Sequence, residues 1–113
     1  GVNMGSKFQF RLTEKANADL DDTISYIAVE LANPKAASDF MDKLGAAIDE
    51  ACLLPESGSP VVNDLLGGWE VRKKIIGNYI MYYWPDLTEK IIYVLRIVYE
   101  GRNMDDILRQ MDI

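Results

Sequence analysis

Between Trp69 and Asn103 the chain reads WEVRKKIIGNYIMYYWPDLTEKIIYVLRIVYEGRN, and this stretch restricts the fold more than any other. Its punctuation divides it into three runs of strand length. Trp69 to Lys74 alternates apolar and charged residues for most of its length, the two-residue period of a half-buried strand. After Ile75-Ile76, Gly77 and Asn78 tolerate the positive φ of a tight turn. Tyr79 to Trp84 is a second run, aromatic and β-branched. Pro85 to Lys90 supplies the next turn, because proline cannot donate to a central ladder. Ile91 to Tyr99 is the third run, apolar except at Arg96. Strands joined by turns this short pair antiparallel.

The rest of the chain supplies what must cover such a sheet. Phe8 to Leu12 alternates and predicts a first strand. Thr13 suits a helix N-cap, and Glu14 falls in the first turn, where the helix dipole favours a carboxylate. Ala16, Leu20, Ile24, Ile27 and Leu31 form the apolar stripe of a helix ending near Leu31, with Asp19, Asp21, Asp22 and Glu30 on its other side. Asn33 caps a second helix and Pro34 fits its first position. Ala37, Phe40, Met41, Leu44, Ile48 and Ala51 line its apolar side, and the two helices form an antiparallel hairpin. Leu54 to Pro60 is turn chemistry. Met104, Ile107, Leu108 and Met111 mark a short last helix with one apolar side.

The order β-α-α-β-β-β-α predicts an α+β fold, with the helical hairpin packed on one face of a four-stranded, antiparallel-type sheet. Alternation then assigns the faces. Trp69 and Val71 are expected to point toward the helices, with Glu70, Arg72 and Lys74 on the opposite side. In the last strand Tyr93, Leu95 and Ile97 form one set, and Ile92, Val94, Arg96 and Val98 the other. An unpaired guanidinium is costly to bury, so the Arg96 set is expected to face away from the helices. The result would be one cationic, partly apolar surface suited to a partner.

Residues 7–113 are expected to form one domain, and Gly1 to Ser6 to be a tag remnant or a frayed start. The chain has no histidine and a single cysteine, Cys52. That excludes an internal disulfide and argues against a zinc site or a Ser/His or Cys/His catalytic arrangement; no metal and no cofactor are expected. A lone buried thiol suits a reducing compartment. No apolar run reaches the roughly 18 residues of a membrane span, and no signal-peptide pattern opens the sequence, so a cytoplasmic protein is expected. Charge is uneven: residues 1–68 carry eleven acidic groups against five basic, whereas residues 69–113 carry seven of each. An acidic whole disfavours dependence on long-range attraction to nucleic acid, although the cations of the sheet can still hold an anion.

Several short motifs recur along the chain in a telling order. Arg11-Leu12-Thr13-Glu14-Lys15-Ala16 is followed by Asp19-Leu20 and Tyr26-Ile27, and Asn33-Pro34-Lys35-Ala36-Ala37 opens the second helix. Pro55-Glu56-Ser57-Gly58 closes the loop after it. Val71-Arg72-Lys73 leads to Gly77-Asn78-Tyr79-Ile80-Met81-Tyr82-Tyr83, and Val94-Leu95-Arg96-Ile97-Val98-Tyr99 leads to Arg102. Over residues 7–108 this order and spacing resembles the RelE/ParE superfamily of bacterial toxins (plasmid stabilisation type), closer to the ParE branch. The resemblance implies a small β-α-α-β-β-β fold, a cognate antitoxin, and a role as the toxin of a type II toxin–antitoxin module.

Two mechanisms come with that resemblance. ParE-like members do no chemistry and bind DNA gyrase so that cleaved DNA complexes persist. The Gly77-Asn78-Tyr79 turn and the Leu95-Arg96-Ile97 strand look more like that branch, and an acidic chain suits a protein target better than a ribosomal one. RelE-like members cut messenger RNA on the ribosome without a metal. That reaction needs an acceptor for the 2′-hydroxyl proton, cations around the phosphate and an acid for the leaving oxygen. The candidates for it are Arg72, Lys74, Arg96 and Arg102, with Tyr99 or Glu70 moving the proton. A tyrosine, with an ordinary pKa near ~10, serves as a base at neutral pH only if cations depress it. Such nucleases tend to carry an arginine after the mid-sheet turn, where this chain has Tyr79. For partner binding the candidates are Arg72, Lys74, Arg96, Val98 and Arg102. Relatives often end the last strand with Tyr/His-Gly-Arg-Arg-Asp, whereas this chain reads Tyr99-Glu100-Gly101-Arg102-Asn103. The loss of an arginine and an aspartate raises a third reading, an inactive relative that only binds an antitoxin.

The same residues also have structural readings. Arg96 can pair with Glu70 or another carboxylate across the sheet, and Arg72-Lys73-Lys74 can be a solvated edge that lysines protect from aggregation. The tyrosines and tryptophans suit cross-strand packing. Self-association through the last helix or an exposed strand edge is left open.

Overall fold

In the computed structural model, which describes residues 7–111, five strands form one sheet in the order β1-β5-β4-β3-β2. They are β1 (Gln9–Leu12), β2 (Ser59–Pro60), β3 (Arg72–Ile76), β4 (Tyr79–Asp86) and β5 (Ile91–Tyr99). The expected tag remnant, Gly1 to Ser6, lies outside the described residues. The α+β architecture matches expectation, and the sheet differs in two respects. A two-residue strand, too short to show as alternation, adds to the β3 edge, where Pro60 lacks only an outward-facing donor. Strand β1 runs parallel to β5, because the helices carry the chain across before it re-enters the sheet at the far edge.

The turns follow local chemistry, with shifted boundaries. Ile75 and Ile76 stay in β3, and Gly77, at φ 60°, begins the reversal. Pro85 stays in β4, opposite Ile92. Strand β3 starts only at Arg72, opposite Tyr83, so nothing on that side asks Pro85 for a donor.

Helix α1 (Glu14–Ser25) is capped by Thr13, whose hydroxyl accepts from the Ala16 amide at 3.1 Å. It continues as a π-helical turn over Tyr26–Glu30. The wider turn rotates later side chains off the buried stripe, so Leu31, expected in the core, is 55% exposed. Ala32 follows with φ 48°. Asn33 then caps α2 (Pro34–Leu53) by accepting from the Ala36 amide at 3.1 Å. Ala37, Phe40, Leu44, Ile48 and Ala51 of α2 are buried, whereas Met41, also expected inside, is exposed beside the stripe.

Both sheet faces are covered, and the phase of the strands depends on that. The α1–α2 hairpin packs on Ile76, Met81, Tyr83, Ile92, Val94 and Ile97. On the opposite face Val71, Tyr82, Leu95 and Val98 form a second core with Leu66, Ile107 and Leu108. Leu66 ends a 3₁₀ turn (Asp64–Leu66), and the other two belong to α3 (Met104–Arg109), capped by Asn103. Apolar alternation therefore cannot say which face meets the hairpin. Val71 points away from the helices, and Arg72 and Lys74 point toward them, the reverse of the expectation. A β-bulge resets β5: Tyr82 pairs with Arg96 and Tyr83 with Val94, leaving Leu95 as the extra residue. Ile92 and Val94 consequently face the hairpin, while Tyr93 and Leu95 face away. Arg96 and Val98 face away as expected.

Candidate functional site

Arg96 lies where β5 loses its outer neighbour. Strand β1 ends at Leu12, and α1 takes its place along the β5 edge. The Thr13 amide donates to the Val94 carbonyl at 3.0 Å, and its hydroxyl donates to the Leu95 carbonyl at 3.1 Å. Nearly two turns on, Asp19 accepts from the backbone N–H of Ile97, which has no strand partner on that side, at 3.0 Å. The same carboxylate takes Arg96 Nε at 2.7 Å and Nη2 at 3.0 Å, a two-pronged pair. Arg96 Nη1 reaches Gln110 Oε1 at 3.3 Å, and Lys15 bonds the Gln110 carbonyl. Only 5% of Arg96 meets solvent. The charged group on this face thus fastens α1 and the residues after α3 to β5, in the structural role foreseen for it, with Asp19 as the carboxylate.

Arg72 performs a comparable task on the other face. Its Nη1 donates to the carbonyls of Glu56 at 3.1 Å and Gly58 at 2.8 Å, while its Nε is buried without a partner among the described residues. The Tyr83 hydroxyl joins the same loop, donating to the Pro55 carbonyl and accepting from the Gly58 amide, each at 2.8 Å. The Pro55-Glu56-Ser57-Gly58 motif is therefore a loop clamped by a guanidinium and a phenol. Gly58 is required there by close approach, since a Cβ would stand 2.6 Å from the Tyr83 hydroxyl and 2.8 Å from the Lys73 carbonyl. Lys74, on the same side, pairs with Glu50 of α2.

The expected single cationic face is therefore absent. Arg72 and Lys74 lie on the hairpin side, Arg96 lies on the other, and Val98 is buried beneath the second layer. Residues 61–71 and α3 occupy the face on which an open surface was expected. Arg102 is exposed in the turn after β5, and no side-chain hydrogen bond or ion pair holds it among the described residues. Tyr99 is 52% exposed and packs against Tyr79, with ring centroids 5.7 Å apart. Glu70, the other proton-transfer candidate, lies before β3 and away from Tyr99, beside Trp69 and Trp84.

One concavity among the described residues is not announced by the sequence. The π-helical turn and the Gly77-Asn78 turn stand apart at one end of the hairpin, leaving a cleft of about 640 Å³ lined by Tyr26, Ile27, Leu31, Ala36, Asn78, Tyr79 and Tyr99. Tyr79 forms its floor, edge-on to Phe40 at 5.2 Å. Burial pushes the Tyr79 phenol above its ordinary pKa, with Tyr26 and Tyr99 adding to the rise. The cleft is apolar and phenolic, suited to burying side chains rather than to taking protons at neutral pH. The sequence carried no signal of it: Leu31 reads as part of the helical stripe, and only the π turn takes it out.

Residues 10–104 match the family described as the ParE toxin of the type II toxin–antitoxin system parDE. The chain belongs to that family. Three solved structures share the fold of this ParE-family toxin. A chain of the chromosomal ParDE system from P. aeruginosa superposes with a TM-score of 0.63 at 21% identity, covering 83% of this chain and 97% of that one. A chain of the archaeal RelE–RelB complex from Pyrococcus horikoshii does so with a TM-score of 0.59 at 15% identity, over 86% and 99% of the two chains. The toxin–antitoxin complex RelBE2 from Mycobacterium tuberculosis gives 0.57 at 18% identity, over 82% and 98%. No curated protein sequence matches this ParE-family toxin. Among its described residues no helix is long and apolar enough to cross a membrane.

Proposed function

We propose that this type II toxin acts by binding, inhibits DNA gyrase without chemistry of its own, and is neutralised by a cognate antitoxin. One observation carries the preference over messenger cleavage: the candidate cations are divided between two faces, and most already have partners within the fold. A phosphate passing through a charged transition state needs several preorganised donors converging on it. Arg96 is held by Asp19 and Gln110, Arg72 by two loop carbonyls, and Lys74 by Glu50. Among the described residues Arg102 is the one member of that set with an unengaged charge, and with Tyr99 beside it is what the nuclease reading still rests on.

The cleft between the π turn and Tyr79 supports a site for the antitoxin. Its exposed Tyr26, Leu31 and Tyr99 offer an apolar slot to one side of an amphipathic helix, whose anchors recur at three- and four-residue spacing. The proposed antitoxin surface is thus the hairpin end, and not the Arg96 face on which a partner surface was expected. The test is purified protein in two parallel assays. Supercoiling by gyrase should stop, with cleaved DNA complexes accumulating, while programmed ribosomes should leave their messenger intact. Defined messenger cuts with unimpaired gyrase would overturn the reading.

A further inference from the structure

At the end of the sheet where β4 turns into β5, three aromatic rings stand in a row on the side away from the hairpin. Trp84 and Tyr93 are register partners, stacked with centroids 5.8 Å apart and 16° between planes. Trp69 meets Trp84 at 82°, with centroids 4.6 Å apart. No strand brings Trp69 there. Gly67 at φ 64° and Gly68 at φ 132° bend the chain through conformations that a side chain would resist, and the Trp69 amide is then held by the Leu66 carbonyl at 3.1 Å. Trp69 remains 44% exposed.

The two indoles form one corner of a cleft of about 450 Å³ whose rim carries Glu70 and Asp86. Asp86 is fixed in place by accepting from the Thr88 and Glu89 amides, both at 3.1 Å. Glu70 makes no hydrogen bond or ion pair among the described residues. Arg72, close in sequence, gives its guanidinium to Glu56 and Gly58 instead.

Aromatic faces are electron-rich, and perpendicular rings beside carboxylates attract a cation. The same carboxylates repel phosphate, which excludes a nucleic-acid backbone as the natural occupant. We propose that this corner receives an arginine side chain from a basic segment of a partner protein. A planar guanidinium can stack on one indole while its fork meets a carboxylate, a combination a lysine ammonium cannot reproduce. The chain's net charge of −6 favours the approach of such a segment. This inference holds whichever enzyme the toxin inhibits.

Both tryptophans of the chain line the corner, so intrinsic fluorescence reports on it directly. The probe is acetyl-Gly-Arg-Gly-amide, titrated at constant ionic strength against its citrulline counterpart and against a thymidine octanucleotide. The arginine peptide should give a saturable change with a dissociation constant in roughly the millimolar range, as expected for a single side chain. Glu70→Gln and Trp69→Leu should each weaken it by about three- to tenfold, consistent with loss of one exposed charge or ring contact. Thermal melts of both variants should match the parent, which separates lost binding from lost folding. Equal binding of the citrulline peptide, an unaffected Glu70→Gln variant, or tighter binding of the oligonucleotide would each overturn the proposal.

Discussion

Replacing Asp19 with alanine should reveal how much of the fold hangs on the Arg96 pair. The carboxylate accepts Arg96 Nε at 2.7 Å, Arg96 Nη2 at 3.0 Å and the Ile97 amide at 3.0 Å. Side-chain exposure is 6% for Arg96 and 13% for Asp19. Without Asp19 a buried guanidinium keeps only Gln110 at 3.3 Å among the described residues, and the edge of β5 has an orphaned donor. Breaking a buried pair from one side costs about 3–5 kcal/mol, far above the ~0–1 kcal/mol of a surface pair. At about 4 °C per kcal/mol for a chain of this size, Asp19→Ala should lower Tm by roughly 12–20 °C. Arg96→Met should cost less, because Asp19 keeps the Ile97 amide and some solvent. The double variant buries no unpaired charge and should be no worse than Asp19→Ala alone, which makes the coupling at least as large as the cost of Arg96→Met. Chemical denaturation of the four proteins measures the cycle. Single variants each within ~1 kcal/mol of the parent, with additive effects, would refute the reasoning.

Gly58→Ala should destabilise by about 1–3 kcal/mol, because the new methyl displaces the Tyr83 hydroxyl or the Lys73 carbonyl; a thermal melt at the parent temperature would contradict the clamp. Burial raises the pKa of Cys52, Tyr79 and Tyr82 in the fold, so each stays neutral there at pH values where the unfolded chain has released its proton. Their stabilisation is intact below the ordinary values and lost on the alkaline side, beginning near 9 with Cys52 and near 10 with the tyrosines. Urea melts from pH 8 upward should show this decline, and Cys52→Ala should remove only its earlier part. Leu31→Asp puts a charge into the tyrosine cleft at an exposed position and should leave the melt unchanged while weakening antitoxin capture at least about tenfold, as for a polar group driven into an apolar anchor site. Capture at parental affinity would remove the cleft from the account.

Local chemistry made most of the fold legible. Thr13, Asn33 and Asn103 have capping side chains in helix-opening positions, and each caps as its type suggests. Face assignment failed because apolar alternation identifies a buried face only when the other face is wet. Here Val71 buries under Leu66 and α3, while the stems of Arg72 and Lys74 lie along the hairpin side and carry their charges to Glu50 and the loop. The bulge at Leu95 was also invisible, since the residues from Ile91 to Leu95 are all apolar and one extra leaves no mark on their pattern. The partner of Arg96 was hidden for a different reason: Asp19 is 77 residues away and looks like one more carboxylate on a solvated helix. The cleft escaped because a π turn has no sequence period of its own.

Arg72, Lys74 and Arg96 serve this toxin's fold, and its proposed action is binding. The direct test compares the parent with a Lys74→Ala/Arg102→Ala variant in gyrase supercoiling, after matched circular dichroism shows that both are folded. Inhibition by the two proteins should agree within about threefold, since inhibition by binding asks for no converging cations and Lys74 is already engaged with Glu50. Loss of inhibition with the variant, or messenger cleavage by the parent that the variant cannot perform, would contradict it.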